Sequence, residues 1–312
     1  MLEHGTSRVK MCFSLRAVTR HLCKKYRATL GLLSTDKLMI TPAIMSSSSP
    51  GNSGAIEGAA VIQHLHRDGD NTVAYRQTGG KSPGVMFLPG FMSNMNGGKA
   101  CELEKYCRRA GLAYVRFDYQ GLGDSHGHLQ PGIKAFDVWK SDALAVLDHL
   151  TTGPQILVGS SMGGALMLLL ALERPHRIAA LIGVATAVNF TQPLSYTEAG
   201  KSEGSSHPPA EELKYVTPRD FVDKSYQRCL MNDPIEISCP IRLLHGMRDD
   251  TVPHQTSLDV AQRVASKDVE VILRKDGDHR MSQERDLQLL TRTLESLVKN
   301  IETDCYSGES KL

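Results

Sequence analysis

The chain has 312 residues, of which 41% are hydrophobic, and its formal net charge is +2 at pH 7. This length suits one large domain or two small ones with ample core, and no run approaches the ~20 apolar residues of a membrane span. Residues 1–45 hold eight Lys/Arg and only two acids, so the rest of the chain is net acidic and nucleic-acid binding is not favoured.

The basic, acid-poor start of the chain is typical of a mitochondrial transit peptide. Lys24, Lys25 and Arg27 interrupt the apolar run that a secretory signal needs, and a disordered basic tail is the alternative. A serine run followed by Pro50 and Gly51 indicates a linker. We therefore assign residues 1–52 to a transit peptide and linker, 53–302 to the folded domain and 303–312 to a C-terminal tail, and we expect a mitochondrial location.

The seven cysteines are widely spaced and form no C-x-x-C pair or zinc-site spacing. Reduced thiols in a reducing compartment are the simplest interpretation. Two short histidine pairs, His64/His66 and His126/His128, could suggest a metal, but neither has a Cys or His cluster to complete a site. We expect neither a metal ion nor another cofactor.

Apolar runs and helical periodicities alternate along the body after a hairpin predicted at 61–66 and 72–76. In chain order the patterns predict strand 85–88, helix 97–110, strand 113–119, helix 133–150, strand 155–158, helix 162–173, strand 179–185, strand 241–245, strand 269–273 and helix 284–301. This alternation predicts an α/β fold with a doubly wound, mostly parallel sheet and helices on both faces. Trp139, on the apolar stripe of its helix, is predicted to lie in the core.

The alternation stops between residues 187 and 235, where Pro, Gly, Ser and charged residues dominate. A loop of this length without structure is improbable in a compact domain unless it is functional. We interpret 187–235 as a small cap or lid inserted after the sixth strand.

The run Gly159-Ser160-Ser161-Met162-Gly163 carries the clearest chemical signal. It lies between an apolar strand and an apolar helix, which is the setting of a G-x-S-x-G nucleophile elbow. Only Ser161 has glycines at the required spacing on both sides. Since a serine hydroxyl is protonated at neutral pH, it needs a base and an acid that orients the base.

An acid and a histidine follow in the order that accompanies such an elbow. Asp249 and Asp250 come just after strand 241–245, and Asp249 is favoured by its spacing in the run His245-Gly246-Met247-Arg248-Asp249. A turn aspartate that bonds its own backbone is the alternative for either one. His279 follows the next strand and is favoured over His254, which lies in the same turn as the acid.

An oxyanion hole should supply two N–H groups beside the nucleophile. Met162, directly after Ser161 and at the start of a helix, is predicted to give one backbone N–H. The other is expected from Phe91 in the loop after strand 85–88, with Met92 as the alternative.

Several runs together resemble the α/β-hydrolase family. They are Leu88-Pro89-Gly90-Phe91, Phe117-Asp118-Tyr119-Gln120-Gly121-Leu122-Gly123-Asp124-Ser125, the elbow, His245-Gly246-Met247-Arg248-Asp249 and Asp278-His279. Runs 88–93, 159–164, 180–187 and 239–247 are similar to one branch of that family, the mitochondrial acyl-glucuronide esterases also described as palmitoyl-protein thioesterases.

The resemblance implies a serine hydrolase whose substrates are S-acylated proteins and small acyl esters or acyl glucuronides, acting through the Ser161–Asp249–His279 triad without a cofactor. A carboxylesterase for small oxygen esters, an amidase, or a catalytically silent binding module of the same fold are the alternatives.

Overall fold

The computed structural model describes residues 61–127, 134–188, 230 and 234–308. The predicted transit peptide and linker, and nearly all of the predicted cap at 187–235, lie outside these residues. Within them, no helix is both long and apolar enough to cross a bilayer.

One sheet of eight strands runs through the described part of the chain. The strands are β1 (Gln63–His66), β2 (Thr72–Thr78), β3 (Lys81–Leu88), β4 (Leu112–Phe117), β5 (Gln155–Ser160), β6 (Ile178–Val184), β7 (Ile241–Gly246) and β8 (Val269–Arg274). Their spatial order is β1-β2-β4-β3-β5-β6-β7-β8. The pairs β1–β2 and β2–β4 are antiparallel and all later pairs are parallel, so the carboxyl ends of β3 and β5 to β8 meet at one edge.

Helices cover both faces of this sheet. They are α1 (Gly98–Ala110), α2 (Ala135–Leu150), α3 (Met162–Glu173), α4 (Gln255–Arg263) and α5 (Glu284–Gly308), with a 3-10 turn at Pro175–Arg177. Alternate residues of β5 show the two layers: Leu157 joins the core with α2, α3 and α4, whereas Ile156 and Val158 join the core with α1 and α5. Successive strand residues point to opposite faces, and both faces are apolar because both are covered.

The predicted fold class is confirmed, and the predicted strands and helices are present at nearly their predicted positions. Trp139 is 1% exposed, as expected for a core residue. The structure differs from the prediction in three elements. β3 starts at Lys81 rather than 85, α5 continues past 301 to Gly308 into the segment interpreted as a tail, and α4 was not predicted.

Candidate active site

Ser161 occupies a sharp turn between the buried strand β5 and helix α3. Its backbone has φ 53° and ψ −118°, a positive-φ conformation that is strained for a residue with a side chain. Backbone hydrogen bonds hold this conformation: the Ser161 N–H donates to Val184 O at 2.8 Å, and its carbonyl accepts from Gly164 at 2.9 Å and Ala187 at 3.0 Å. The side chain is thereby directed away from the strand, as a nucleophile elbow requires.

The glycines on either side of Ser161 are required by lack of space. A Cβ at Gly159 would overlap the carbonyl of Gly163, and a Cβ at Gly163 would overlap the carbonyl of Leu88 on the neighbouring strand. The turn can therefore pack this closely between strand and helix only without side chains at both positions.

The structure brings the three predicted catalytic residues together. His279 Nε2 lies 3.0 Å from Ser161 Oγ, and His279 Nδ1 lies 2.8 Å from Asp249 Oδ2. A carboxylate oxygen only accepts hydrogen bonds, so Nδ1 carries the proton and Nε2 presents its lone pair to the serine hydroxyl. The Asp249 side chain has no exposed surface and that of His279 is 23% exposed. This arrangement can take a proton from the hydroxyl.

Asp249 is held as a carboxylate. Its Oδ1 accepts the backbone N–H groups of Val252 at 2.7 Å and Thr251 at 2.9 Å. Burial acts to raise the pKa of Asp249, but the hydrogen bonds from His245, His279 and Val252 outweigh it and hold the pKa well below its usual value. Asp249 is therefore ionised across the neutral range.

Asp250 and His254, the sequence alternatives to Asp249 and His279, have different surroundings. Asp250 is exposed and its Oδ1 accepts from the Thr251 hydroxyl at 3.1 Å. His254 is the residue before the first turn of α4.

Sequence reasoning missed one buried histidine beside the triad. His245, near the end of β7, is fully buried, and its Nε2 lies 3.0 Å from Asp249 Oδ2 and 3.0 Å from Val252 O. Its Nδ1 lies 2.7 Å from Ser257 Oγ on α4. The signal for it was a histidine in a strand that holds the apolar residues Ile241, Leu243 and Leu244, since a polar side chain buried among such residues needs partners.

The loop after β3 runs alongside the nucleophile. A Cβ built at Gly90 would lie 3.3 Å from Ser161 Cβ and 3.2 Å from Ser160 O, so this part of the loop packs directly on the elbow. The Tyr119 hydroxyl donates to Pro89 O at 3.2 Å. Phe91 and Met92 are both half-buried. The oxyanion donors, the N–H groups of Met162 and Phe91 with Met92 as the alternative, stay a prediction.

A buried carboxylate ties this loop to the one after β4. Asp118 Oδ1 accepts the Met95 N–H at 2.6 Å and its Oδ2 accepts the Asp124 N–H at 2.9 Å. Burial raises the pKa of Asp118 to about 6. Because both partners are backbone groups, Asp118 fixes the path of the loop that packs on the elbow and of the loop after β4.

The loop that carries His279 is held from α1. The half-buried Lys99 donates to the carbonyl of Arg280 and to Ser282 Oγ, the latter at 3.2 Å. Burial lowers the pKa of Lys99 to about 8. Lys99 therefore fixes the chain directly after the histidine.

Candidate metal ligands do not assemble in the described residues, where no group of three His, Cys, Asp or Glu side chains could hold a metal ion. His64 and His126 stack with ring centroids 6.0 Å apart, while His128 lies outside the described ranges.

Known proteins are similar to this chain in sequence and in fold. The family model described as "Serine aminopeptidase, S33" matches residues 81–210. A Bos taurus protein named "Palmitoyl-protein thioesterase ABHD10, mitochondrial" is 45% identical over 251 residues, which cover 78% of this chain and 81% of the relative. The chain belongs to the ABHD10 family of α/β-hydrolases.

Solved structures agree with this family. The mouse alpha/beta hydrolase domain-containing protein 10 superposes with a TM-score of 0.65 at 40% identity, over 78% of this chain and all of that chain. A putative hydrolase from Agrobacterium vitis gives a TM-score of 0.62 at 27% identity, over 77% of this chain and 98% of its own. The predicted enzyme class, a serine hydrolase, is confirmed by membership of the ABHD10 family. The predicted mitochondrial location is confirmed by the relatives, which are named mitochondrial.

Proposed function

We propose that this chain hydrolyses fatty acyl thioesters on protein cysteines and acyl-glucuronide esters, with Ser161 as nucleophile, His279 as base and Asp249 as the orienting acid. The observation that carries the proposal is the unbroken hydrogen-bond chain from Ser161 Oγ through His279 to Asp249 Oδ2. The thioester substrate is supported by the name of the ABHD10 relatives, and the acyl-glucuronide substrate by the resemblance of motif runs.

Acylation begins when His279 Nε2 takes the proton of Ser161 as its oxygen attacks the acyl carbonyl. The backbone N–H groups of Met162 and Phe91 bind the oxyanion of the tetrahedral intermediate. Asp249 stabilises the imidazolium that forms, because its carboxylate stays ionised and bonded to Nδ1–H. The imidazolium then gives its proton to the leaving thiolate or sugar oxygen.

Deacylation repeats these steps with water as the nucleophile. His279 takes a proton from water as the water attacks the acyl-enzyme ester, and returns that proton to Ser161 Oγ when the carboxylic acid leaves. No step requires a group outside the chain and water.

A thioester suits this site chemically. Its leaving thiolate is a weaker base than an alkoxide, since a thiol pKa is about 8.5, so it departs with little protonation. The leaving oxygen of a glucuronide ester is more basic, so it depends more strongly on protonation by the imidazolium as general acid.

A comparison of substrates tests the proposal. We would measure kcat/KM of the full chain for a palmitoyl-cysteine peptide, an acyl glucuronide and a short p-nitrophenyl ester, with Ser161→Ala as the blank, and label both proteins with a fluorophosphonate. We expect labelling of the wild type alone and preference for the first two substrates. Preference for the short ester would refute the substrate assignment, and absence of labelling in both proteins would refute catalysis through Ser161.

A further inference from the structure

His245 is a fully buried histidine that the mechanism above does not use. It lies on β7 between the triad acid and helix α4, and both of its ring nitrogens have partners: Asp249 and Val252 at Nε2, and Ser257 at Nδ1. A buried polar network of this kind stabilises only if each member is satisfied. The protonation of the ring can therefore be read from its partners.

The two atoms near Nε2 determine where the proton lies. Asp249 Oδ2 and Val252 O are both 3.0 Å from Nε2, and both are acceptors only. A bare lone pair on Nε2 would face two oxygens and be repelled, so Nε2 carries the proton. In the neutral ring, Nδ1 then holds the lone pair and accepts from the Ser257 hydroxyl at 2.7 Å, and Ser257 is itself fully buried.

The hydrogen bond from His245 completes the set of donors around the Asp249 carboxylate. Oδ2 receives the N–H groups of His279 and His245, and Oδ1 receives two backbone N–H groups. An ionised carboxylate has about four acceptor sites, so all of them are occupied. The carboxylate cannot rotate without losing donors on both oxygens.

We propose that His245 is a positioning residue for catalysis, and that Ser257, by donating to Nδ1, keeps the Nε2–H of His245 on Asp249. Through Asp249, the pair holds His279 in the tautomer that accepts the Ser161 proton. The inference rests on the triad of the proposed function. Its chemical content is a five-member relay, Ser257–His245–Asp249–His279–Ser161, rather than three residues.

The relay makes a prediction about pH that packing alone does not. The Nε2–H of His245 shares the negative charge of Oδ2 with His279, so its removal leaves a more basic carboxylate beside His279. The imidazolium is then better stabilised, and the acidic limb of kcat/KM moves to higher pH. Further charged groups at this loop are Asp278 and Arg280 beside His279, Lys99 from α1, Asp286 from α5, and Asp276 with its partners Arg274 and Arg285. None of them changes in the variants below.

The variants distinguish the effect of the His245 hydrogen bonds from the effect of its side-chain volume. His245→Leu removes both ring nitrogens at similar size, His245→Gln retains an N–H donor, and Ser257→Ala removes only the hydroxyl. His176→Gln, at an exposed histidine in the 3-10 turn before β6, is the matched control. For each full-length protein we would measure kcat, KM, the pH profile of kcat/KM, the midpoint of thermal unfolding and fluorophosphonate labelling.

We expect His245→Leu to lose about tenfold or more in kcat, as for one charge-assisted hydrogen bond, with KM within about twofold. Its acidic limb should move to higher pH. His245→Gln should recover part of kcat, Ser257→Ala should lose about threefold, the size of a weak neutral hydrogen bond, and the control should match the wild type.

A folded His245→Leu with wild-type kcat and pH profile would overturn the inference. If that variant does not fold, Ser257→Ala decides, and wild-type kcat with an unmoved acidic limb overturns it. A fall in kcat that tracks the unfolding midpoint, with no recovery in His245→Gln, would mean a structural role and also overturn it. Wild type that is neither active nor labelled refutes the proposed function as well, whereas active wild type with unaffected variants refutes this inference alone.

Discussion

Replacing Asp249 with asparagine tests the triad through the protons that the structure places around that side chain. Two imidazole N–H groups point at Oδ2 and two backbone N–H groups point at Oδ1. An asparagine has one acceptor oxygen and one NH₂ donor. Whichever way the amide turns, its NH₂ faces two donors, and at the Oδ2 position it forces His279 to place its proton on Nε2.

The size of the effect follows from that change of tautomer. A His279 with its proton on Nε2 cannot accept from the Ser161 hydroxyl, and the same exchange in Ser-His-Asp triads costs about 10⁴ in kcat. At about 1.36 kcal/mol per tenfold, this corresponds to about 5 kcal/mol of transition-state stabilisation. We expect a loss of that order in kcat for a thioester substrate, with KM nearly unchanged because Asp249 is buried and cannot touch substrate.

The adjacent residue provides the control. Asp250→Asn changes the charge in the same turn, but Asp250 is exposed and, within the described residues, bonds only the Thr251 hydroxyl. The kcat of this variant should therefore stay within about twofold of the wild type, as for a surface substitution. Steady-state thioester hydrolysis and the rate of fluorophosphonate labelling measure both variants. A folded Asp249→Asn that keeps more than about a tenth of wild-type kcat, or an Asp250→Asn that loses as much as it does, would refute the reasoning.

Two further predictions concern stability. Burial raises the pKa of Asp142 from 3.8 to about 6, so the folded protein holds this proton more tightly and loses stability as pH rises from about 4 to 6. Asp142→Asn, whose oxygen can still accept the Gln120 N–H at 2.8 Å, should gain up to about 3 kcal/mol relative to wild type across that window in urea unfolding. A difference independent of pH would contradict this. Gly159→Ala should lower the free energy of unfolding by at least about 1–3 kcal/mol, because its Cβ meets the Gly163 carbonyl; an unchanged thermal midpoint would contradict the close packing of the elbow.

The parts of the site that sequence could predict are those with a local signal. The elbow requires glycines at fixed spacing, and the acid and histidine each follow an apolar strand, so the parallel sheet brings them to one edge. The choice of Asp249 over Asp250 depended on motif spacing. Of the two, the structure places Asp249 with its Oδ2 2.8 Å from His279 Nδ1.

The elements that the sequence did not predict lack a regular spacing of apolar residues. Helix α4 buries Thr256, Ser257 and Val260, a mostly polar face that gives no helical stripe, and it was not predicted for that reason. The same polar face carries the hydroxyl that meets His245. The first residues of β3 were missed because Pro83 and Gly84 are poor strand formers.

The position of β8 at the edge of the described sheet has a consequence for the chain during its synthesis and folding. Ser161 and His279 are separated by 118 positions, and the loop that carries His279 follows β8. Among the described strands, β8 pairs with β7 alone. A chain that is still being synthesised, or that has folded only through β7, holds its serine without a base. Under the proposed mechanism, hydrolysis therefore requires β8 and the loop after it, and reactivity toward a fluorophosphonate reports whether this strand has docked.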